Sequence, residues 1–295
     1  MKPRLLVVLA VIVAAAVLVS LTQLGAQTVR VRVTTTTSLY ATGLLDYLED
    51  QFRKQHPNVE IDFIAVGSGE ALRRAEMGDA CMVFVHAPSL EKQYMARGAI
   101  AEGRIFAYNY FVIAGPPSDP AHIKGEDDPV DAFEKIYEAG EEGRALFVSR
   151  GDNSGTHVKE LSLWKSAGLD PRGRPWYLET GSGMGNTLLV ANERGAYVLT
   201  DIGTYLKFRK DGKIPNLEIM VQGGDELLNI YSVYLVPTCS GEEAKYARMF
   251  ADFVAGEAQS LIGSYKVDVY GQPLFYPAQG KLDWLAEKWR ELAGG

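Results

Sequence analysis

Metal-binding and redox residues are scarce in this chain, which has four histidines and two cysteines in 295 residues. His56, His86, His122 and His157 show no paired ligand spacing, and the cysteines are isolated, which argues against a structural metal centre. Cys81 and Cys239 could pair in an oxidising compartment. One pair beside so much apolar sequence is no disulfide scaffold, so the expectation is two unconnected buried thiols. Basic runs are missing too. The formal net charge is -7, and without Lys2 and Arg4 of residues 1–26 it becomes -9, which leaves no electrostatic footprint for nucleic acid. No Walker motif and no dinucleotide fingerprint occur, because Gly181 to Gly185 is too short for Gly-x-Gly-x-x-Gly. Any energy coupling must therefore come from a partner.

Long apolar runs are confined to the N-terminus, where Met1-Lys2-Pro3-Arg4 precedes an almost unbroken apolar stretch from Leu5 to Val19. That is the pattern of an export signal, and residues 1–26 are expected to be a signal peptide or an N-terminal anchor. Leu24 fits the small-x-small cleavage preference near Leu24-Gly25-Ala26 poorly, so anchored and freely soluble forms both stay open. No cysteine lies near that region, which argues against a lipoprotein anchor.

What the chain has is a run of five hydroxyls, Thr34-Thr35-Thr36-Thr37-Ser38, between an alternating strand pattern (Val29, Val31, Val33) and a helical pattern (Leu44, Leu45, Leu48, Phe52). The amide N–H groups at a helix start lack partners, and the macrodipole favours negative charge there, so such a run can hold a dehydrated anion. Three further segments repeat the arrangement: Gly67-Ser68-Gly69, Ser149 to His157, and Gly181 to Gly185. Four such helix starts point to one shared oxyanion site.

Elsewhere strands and helices alternate. Val59 to Val66 reads as a strand, Gly67 to Gly69 as a turn, Glu70 to Met77 as a helix, and Cys81 to Val85 as a buried strand. Ser89 is expected to cap a helix from Leu90 to Arg97, and Ile105 to Ala114 forms another strand. The segment from Pro116 to Pro129 is rich in Pro, Asp and Gly and is expected to carry the chain into a second α/β set. Ile230 to Val236 brings it back, and helices close the sequence, with Lys281 to Leu292 amphipathic. The expected fold class is α/β: a two-lobed clamshell, each lobe a mixed, mostly parallel sheet flanked by helices. Residues 27–112 with 229–295 would form lobe I, and residues 113–228 lobe II.

Position gives the hydroxyl run its meaning, since the carboxyl ends of strands are where open α/β sheets bind ligands. Arg150 follows the apolar strand from Ala145 to Val148 and precedes Gly151, which places a planar fork of fixed charge at the same edge. Asp152, Asn153 or Ser154 can cap the next helix, and a bound anion can still take the amides of Gly155 and Thr156. The same residues also allow a different class of function: a secreted hydrolase with Ser154 as nucleophile, His157 as base and Asp152 as orienter. The three lie within six consecutive residues and lack a Gly-x-Ser-x-Gly elbow, so no catalytic residue is expected and the chain reads as a non-enzyme.

Thr35-Thr36-Thr37-Ser38, Val66-Gly67-Ser68-Gly69, Val85-His86-Ala87-Pro88, Ser149 to His157, Gly183 to Leu188 and Gly271-Gln272-Pro273-Leu274-Phe275 together resemble the tungstate-binding proteins of bacterial and archaeal ABC importers, from about residue 30 to 280. The resemblance implies a clamshell of the type II periplasmic-binding-protein kind and an extracytoplasmic receptor, periplasmic or at the cell surface, that passes tungstate to a membrane ABC permease. It also implies a monomer without cofactor, with tungsten bound only as its oxyanion. It maps the family's hydroxyl motif and arginine onto Thr36, Thr37, Ser38 and Arg150, with Ser68, Ser154, Gly155 and Thr156 as further contacts. Ser68 stands where the family has threonine, Ser182 where glutamine is expected, and Ile202 where arginine is. Molybdate, or another tetrahedral oxyanion, is the alternative ligand. Tungstate is fully ionised near neutral pH and only accepts hydrogen bonds, so the pocket is expected to be poor in acceptors and Arg150 to be the one full charge beside the anion.

Overall fold

The computed structural model describes residues 28–294, and the expected export segment lies outside them. Ten strands follow in chain order: β1 (Val29–Thr36), β2 (Val59–Val66), β3 (Met82–Val85), β4 (Ala101–Gly115), β5 (Phe147–Ser149), β6 (Tyr177–Glu179), β7 (Val198–Asp201), β8 (Glu218–Gln222), β9 (Leu228–Leu235) and β10 (Tyr276–Pro277). Pairing runs β10-β4-β9-β3-β1-β2, and β7 and β8 join the far end of β4.

The long strand β4 organises the molecule. From Ala101 to Tyr110 it pairs with β9, and from Phe111 onwards with β7 and β8. The change of partner thus falls inside one continuous strand, ahead of the Pro116 to Pro129 loop where composition alone places it. Two lobes result, each with its own core. Val31, Leu48, Phe84, Phe250 and Phe275 bury together on one side, and Phe133, Phe147, Trp164 and Tyr197 on the other. Alternation along β4 serves both faces of the second sheet, with Phe111 and Ile113 on one and Val112 and Ala114 on the other, as the period of two requires.

Pairing is more antiparallel than the alternation of elements predicts. β1 runs parallel to β2 and β3 and β5 parallel to β6, but β9 is antiparallel to both β3 and β4. The two strands that connect the lobes run in opposite directions, one out and one back.

Local chemistry explains most boundaries. Helix Leu44–Arg53 buries Leu44, Leu45, Leu48 and Phe52, the stripe that the spacing demands. The Thr42 hydroxyl accepts from Leu44 N–H at 3.2 Å and donates to the Leu39 carbonyl at 2.7 Å. A short helix, Thr37–Ala41, occupies the space between β1 and that helix. Consequently Thr34 to Thr36 finish the strand, and only Thr37 and Ser38 open a helix. The expected cap at Ser89 is corrected: the helix is Pro88–Ala96, with Ala87 as its N-cap residue. Pro88 fixes φ at the first position, and the buried Glu91 carboxylate accepts from Ala87 N–H at 2.7 Å in place of a serine cap.

The expectation of two unconnected thiols is also overturned, because Cys81 and Cys239 form a disulfide with Cα atoms 5.1 Å apart. Antiparallel pairing is the reason. Met82 at the start of β3 stands opposite Leu235 at the end of β9, so the residues just outside both strands meet, and Val236 N–H donates to the Cys81 carbonyl at 3.0 Å. No helix among the described residues is long and apolar enough to cross a membrane.

Candidate functional site

The sequence-predicted segments converge where the lobes face each other. Lobe I supplies the end of β1 with helix Thr37–Ala41, and Gly67 with helix Ser68–Glu76. Lobe II supplies the β5 end with Arg150, Ser154 with helix Gly155–Ser166, and Gly183 with helix Met184–Arg194. The lobes touch directly. Gly155 N–H donates to Ser68 Oγ at 3.1 Å, Gly69 N–H to the Asn153 carbonyl at 3.3 Å, and Arg150 Nη2 to Thr37 Oγ1 at 3.2 Å. The cleft is therefore closed.

Glycine is required at one of these contacts, since a Cβ on Gly155 would stand 2.7 Å from the His86 carbonyl oxygen; at Gly67 a Cβ would stand a tight 3.3 Å from the Asp152 carbonyl oxygen.

Arg150 is the central group, with 2% of its surface exposed. Nη2 is bound to Thr37 Oγ1 and, at 2.5 Å, to Asp152 Oδ2. Nε and Nη1 are buried with no partner at all. A guanidinium is always charged, and leaving its N–H groups buried and unmatched is costly, so this geometry calls for an acceptor that enters the cleft. The Thr156 hydroxyl, likewise buried and unpartnered, starts the same helix as Gly155.

The hydroxyls divide by what they already do. Thr36 Oγ1 accepts from Leu39 N–H at 3.3 Å and lies 3.4 Å from Ser38 Oγ, which in turn lies 3.3 Å from His86 Nε2. Thr37 Oγ1 and Ser68 Oγ each accept from the opposite lobe, through Arg150 and Gly155 respectively, so their own O–H bonds are free to donate. Ser154 is the N-cap of its helix, accepting from His157 N–H at 3.3 Å. Asp152 corrects the expectation that Arg150 is the one full charge present: its carboxylate accepts from Ser154 N–H at 3.1 Å and from the guanidinium.

Sequence reasoning gave His86 no role, and the structure places it against Ser38. The direction of each bond in its network follows from one fixed end. Asn109 Nδ2 donates to the Leu274 carbonyl at 3.1 Å, so Asn109 Oδ1 accepts from Asn229 Nδ2 at 2.9 Å. Asn229 Oδ1 then faces His86 Nδ1 at 2.9 Å, and that nitrogen carries the proton. Complete burial pushes the His86 imidazole down to about 4, so near neutral pH Nε2 is a bare acceptor for the Ser38 hydroxyl. Nothing local signals this network, since Asn229 lies 143 residues from His86.

Asp201, also missed, caps helix Ile202–Lys210 through Thr204 N–H at 2.8 Å and the Thr204 hydroxyl at 2.7 Å. Burial pushes its carboxyl up, opposed by the Thr204 hydrogen bonds and by the charge of Arg150. Ser182 and Ile202 stand at helix starts of lobe II, where Ser182 N–H donates to Thr180 Oγ1 at 3.4 Å.

The hydrolase geometry is not assembled. His157 Nδ1 accepts from Asn153 N–H at 3.0 Å, its Nε2 has no partner, and Ser154 Oγ meets only the backbone N–H of His157. Neither ring nitrogen takes the hydroxyl proton, as a general base must.

The profile of the PBP superfamily domain matches residues 22–258. The tungstate-binding protein TupA of Peptoclostridium acidaminophilum is 40% identical over 252 residues, covering 84% of this chain and 85% of that protein. This chain belongs to the tungstate-binding-protein family of the PBP superfamily. Two solved structures agree. The tungstate-binding protein TupA of Desulfovibrio alaskensis G20 is 41% identical with a TM-score of 0.69, over 84% of this chain and 98% of that one. The tungstate ABC transporter protein of Geobacter sulfurreducens is 42% identical with a TM-score of 0.70, over 81% of this chain and all of that one. In this tungstate-binding-family member the lobes meet at Arg150, Ser68, Gly155 and the end of β1.

Proposed function

We propose that this protein captures tungstate in its interlobe cleft outside the cytoplasm and delivers it to a membrane ABC permease. The observation that carries the reading is the buried Arg150 guanidinium, with two unpartnered nitrogens inside a closed cleft ringed by helix starts. Arg150 Nε and Nη1, the hydroxyls of Thr37, Ser68 and Thr156, and the N–H of Ser38 supply donors to an anion that can only accept, while Gly155 holds Ser68 Oγ so that its O–H can turn to the anion. Thr36 and Ser154 shape that ring as the caps of its helices. In this reading residues 27–112 with 229–295 form one lobe and residues 113–228 the other, and closure excludes water. The chain acts as an exported monomer with no catalytic step, a reading supported by relatives that are named as tungstate-binding proteins.

Calorimetry with tungstate, molybdate, sulfate and phosphate tests the proposal. Tungstate is expected to bind tightest. No tungstate heat at micromolar protein would end the claim, and tighter molybdate would reassign the ligand.

A further inference from the structure

The cation beside the hydroxyl run is Arg150, and it is already answered. Asp152 Oδ2 sits 2.5 Å from Arg150 Nη2, with the Asp152 side chain 17% exposed and the arginine side chain 2% exposed. A second carboxyl, Asp201, is fully buried and within the electrostatic reach of the same guanidinium. His86, the other basic group beside the hydroxyl run, is uncharged near neutral pH. Arg150 and Asp152 together bring no net formal charge, so attraction for a dianion rests on amide and hydroxyl dipoles.

A site of weak field selects by what it cannot strip of water. Desolvation of an ion grows costlier as its radius falls, so a small tetrahedral dianion such as sulfate needs a stronger field than a larger one before it gives up its hydration. We infer that Asp152 is a specificity-determining residue, which by pairing with Arg150 keeps the field of the cleft low and thereby favours a large, weakly hydrated tetrahedral dianion over sulfate. This rests on the tungstate reading of the site. Asp152 belongs to lobe II but lies against lobe I, since a Cβ on Gly67 would be 3.7 Å from its Oδ2. Its charge therefore acts within the closed cleft rather than at an outer surface.

Asp152→Asn tests the idea while keeping an oxygen to accept the Ser154 N–H. Asp152→Ser, which retains a shorter acceptor at the same turn, guards against a defect peculiar to asparagine. Affinities for tungstate and sulfate, both fully ionised at pH 7.5, are measured by calorimetry or competition, and the quantity read is the ratio of the sulfate Kd to the tungstate Kd. Removing the carboxylate is expected to lower that ratio about fivefold or more, because the strengthened field helps the smaller ion most. A ratio within twofold of the unsubstituted protein in both variants, whatever the absolute change, would overturn the inference, as would a rise. If the unsubstituted protein binds molybdate and not tungstate, the ligand assignment fails while the same ratio taken against molybdate still decides the role of Asp152.

Discussion

Replacing Arg150 by alanine is expected to remove most of the affinity for tungstate, and the structure sets the scale. Nε and Nη1 are the unmatched nitrogens, and if each gives one charge-assisted hydrogen bond to the anion, the loss is about 1.5 to 3 kcal/mol per bond. Two bonds make about 3 to 6 kcal/mol, or roughly a hundred- to ten-thousandfold in Kd. The alanine variant also leaves Asp152 without its partner at 2.5 Å, so an uncompensated carboxylate would face the incoming dianion. Arg150→Ala combined with Asp152→Ala should therefore bind better than Arg150→Ala alone, by about tenfold if that repulsion is near 1.4 kcal/mol. Arg150→Lys, which keeps the charge but loses the fork, should fall between the unsubstituted protein and the alanine variant. Titration calorimetry supplies the four constants, for the unsubstituted protein and the three variants, and circular dichroism checks that each variant is folded. An Arg150→Ala affinity within fivefold of the unsubstituted protein would refute the placement of the anion against this guanidinium.

Two further predictions concern stability. Reducing the Cys81–Cys239 bridge, which spans a sequence separation of 158 residues, should lower stability by roughly 2 to 5 kcal/mol, since the bond restrains a long loop in the unfolded chain. Denaturant curves with and without reductant check this, and coincident curves would contradict it. Burial raises the Glu160 carboxyl to about 7 against the donors Tyr177, Ser149 and Trp164, so the folded state holds a proton that the unfolded state releases near its ordinary value of 4.5. That stabilisation is complete below pH 4.5 and is lost as pH rises towards 7, by about 3 kcal/mol at most. Glu160→Gln should flatten the dependence between pH 5 and 8, and an unchanged slope would show that Glu160 is not its source.

The parts of this fold legible in sequence are those whose causes are local. Helix Leu44–Arg53 and β2 were fixed by periodicity, because one buried stripe or one pleat forces the spacing of their apolar residues. Arg150 could be placed at a strand edge since the apolar residues before it and Gly151 after it are neighbours in the chain. The strands β6 and β8 and helix Ile202–Lys210 were missed. The strands have only three and five residues, and that helix buries just Gly203, Thr204 and Tyr205, so it shows no apolar stripe.

Partners distant in sequence left no trace either. The disulfide depends on antiparallel pairing of β3 with β9, the position of the proton on His86 on Asn229, and the start of helix Pro88–Ala96 on a carboxylate that also accepts from Tyr234 at 2.8 Å and Trp289 at 2.7 Å. The same distinction runs through the site itself. Hydroxyls and glycines mark where an anion can be met, but whether a given hydroxyl is free to donate is decided by partners distant in sequence. Thr37 and Ser68 accept from lobe II and keep their protons available, whereas Ser38 has His86 Nε2 beside it. Five adjacent hydroxyls that look equivalent in the chain are thus made unequal by partners in their own lobe, Ala71 for Thr34 and His86 for Ser38, and by Arg150 from the other lobe for Thr37, so the donor set of the site is complete only in the closed form.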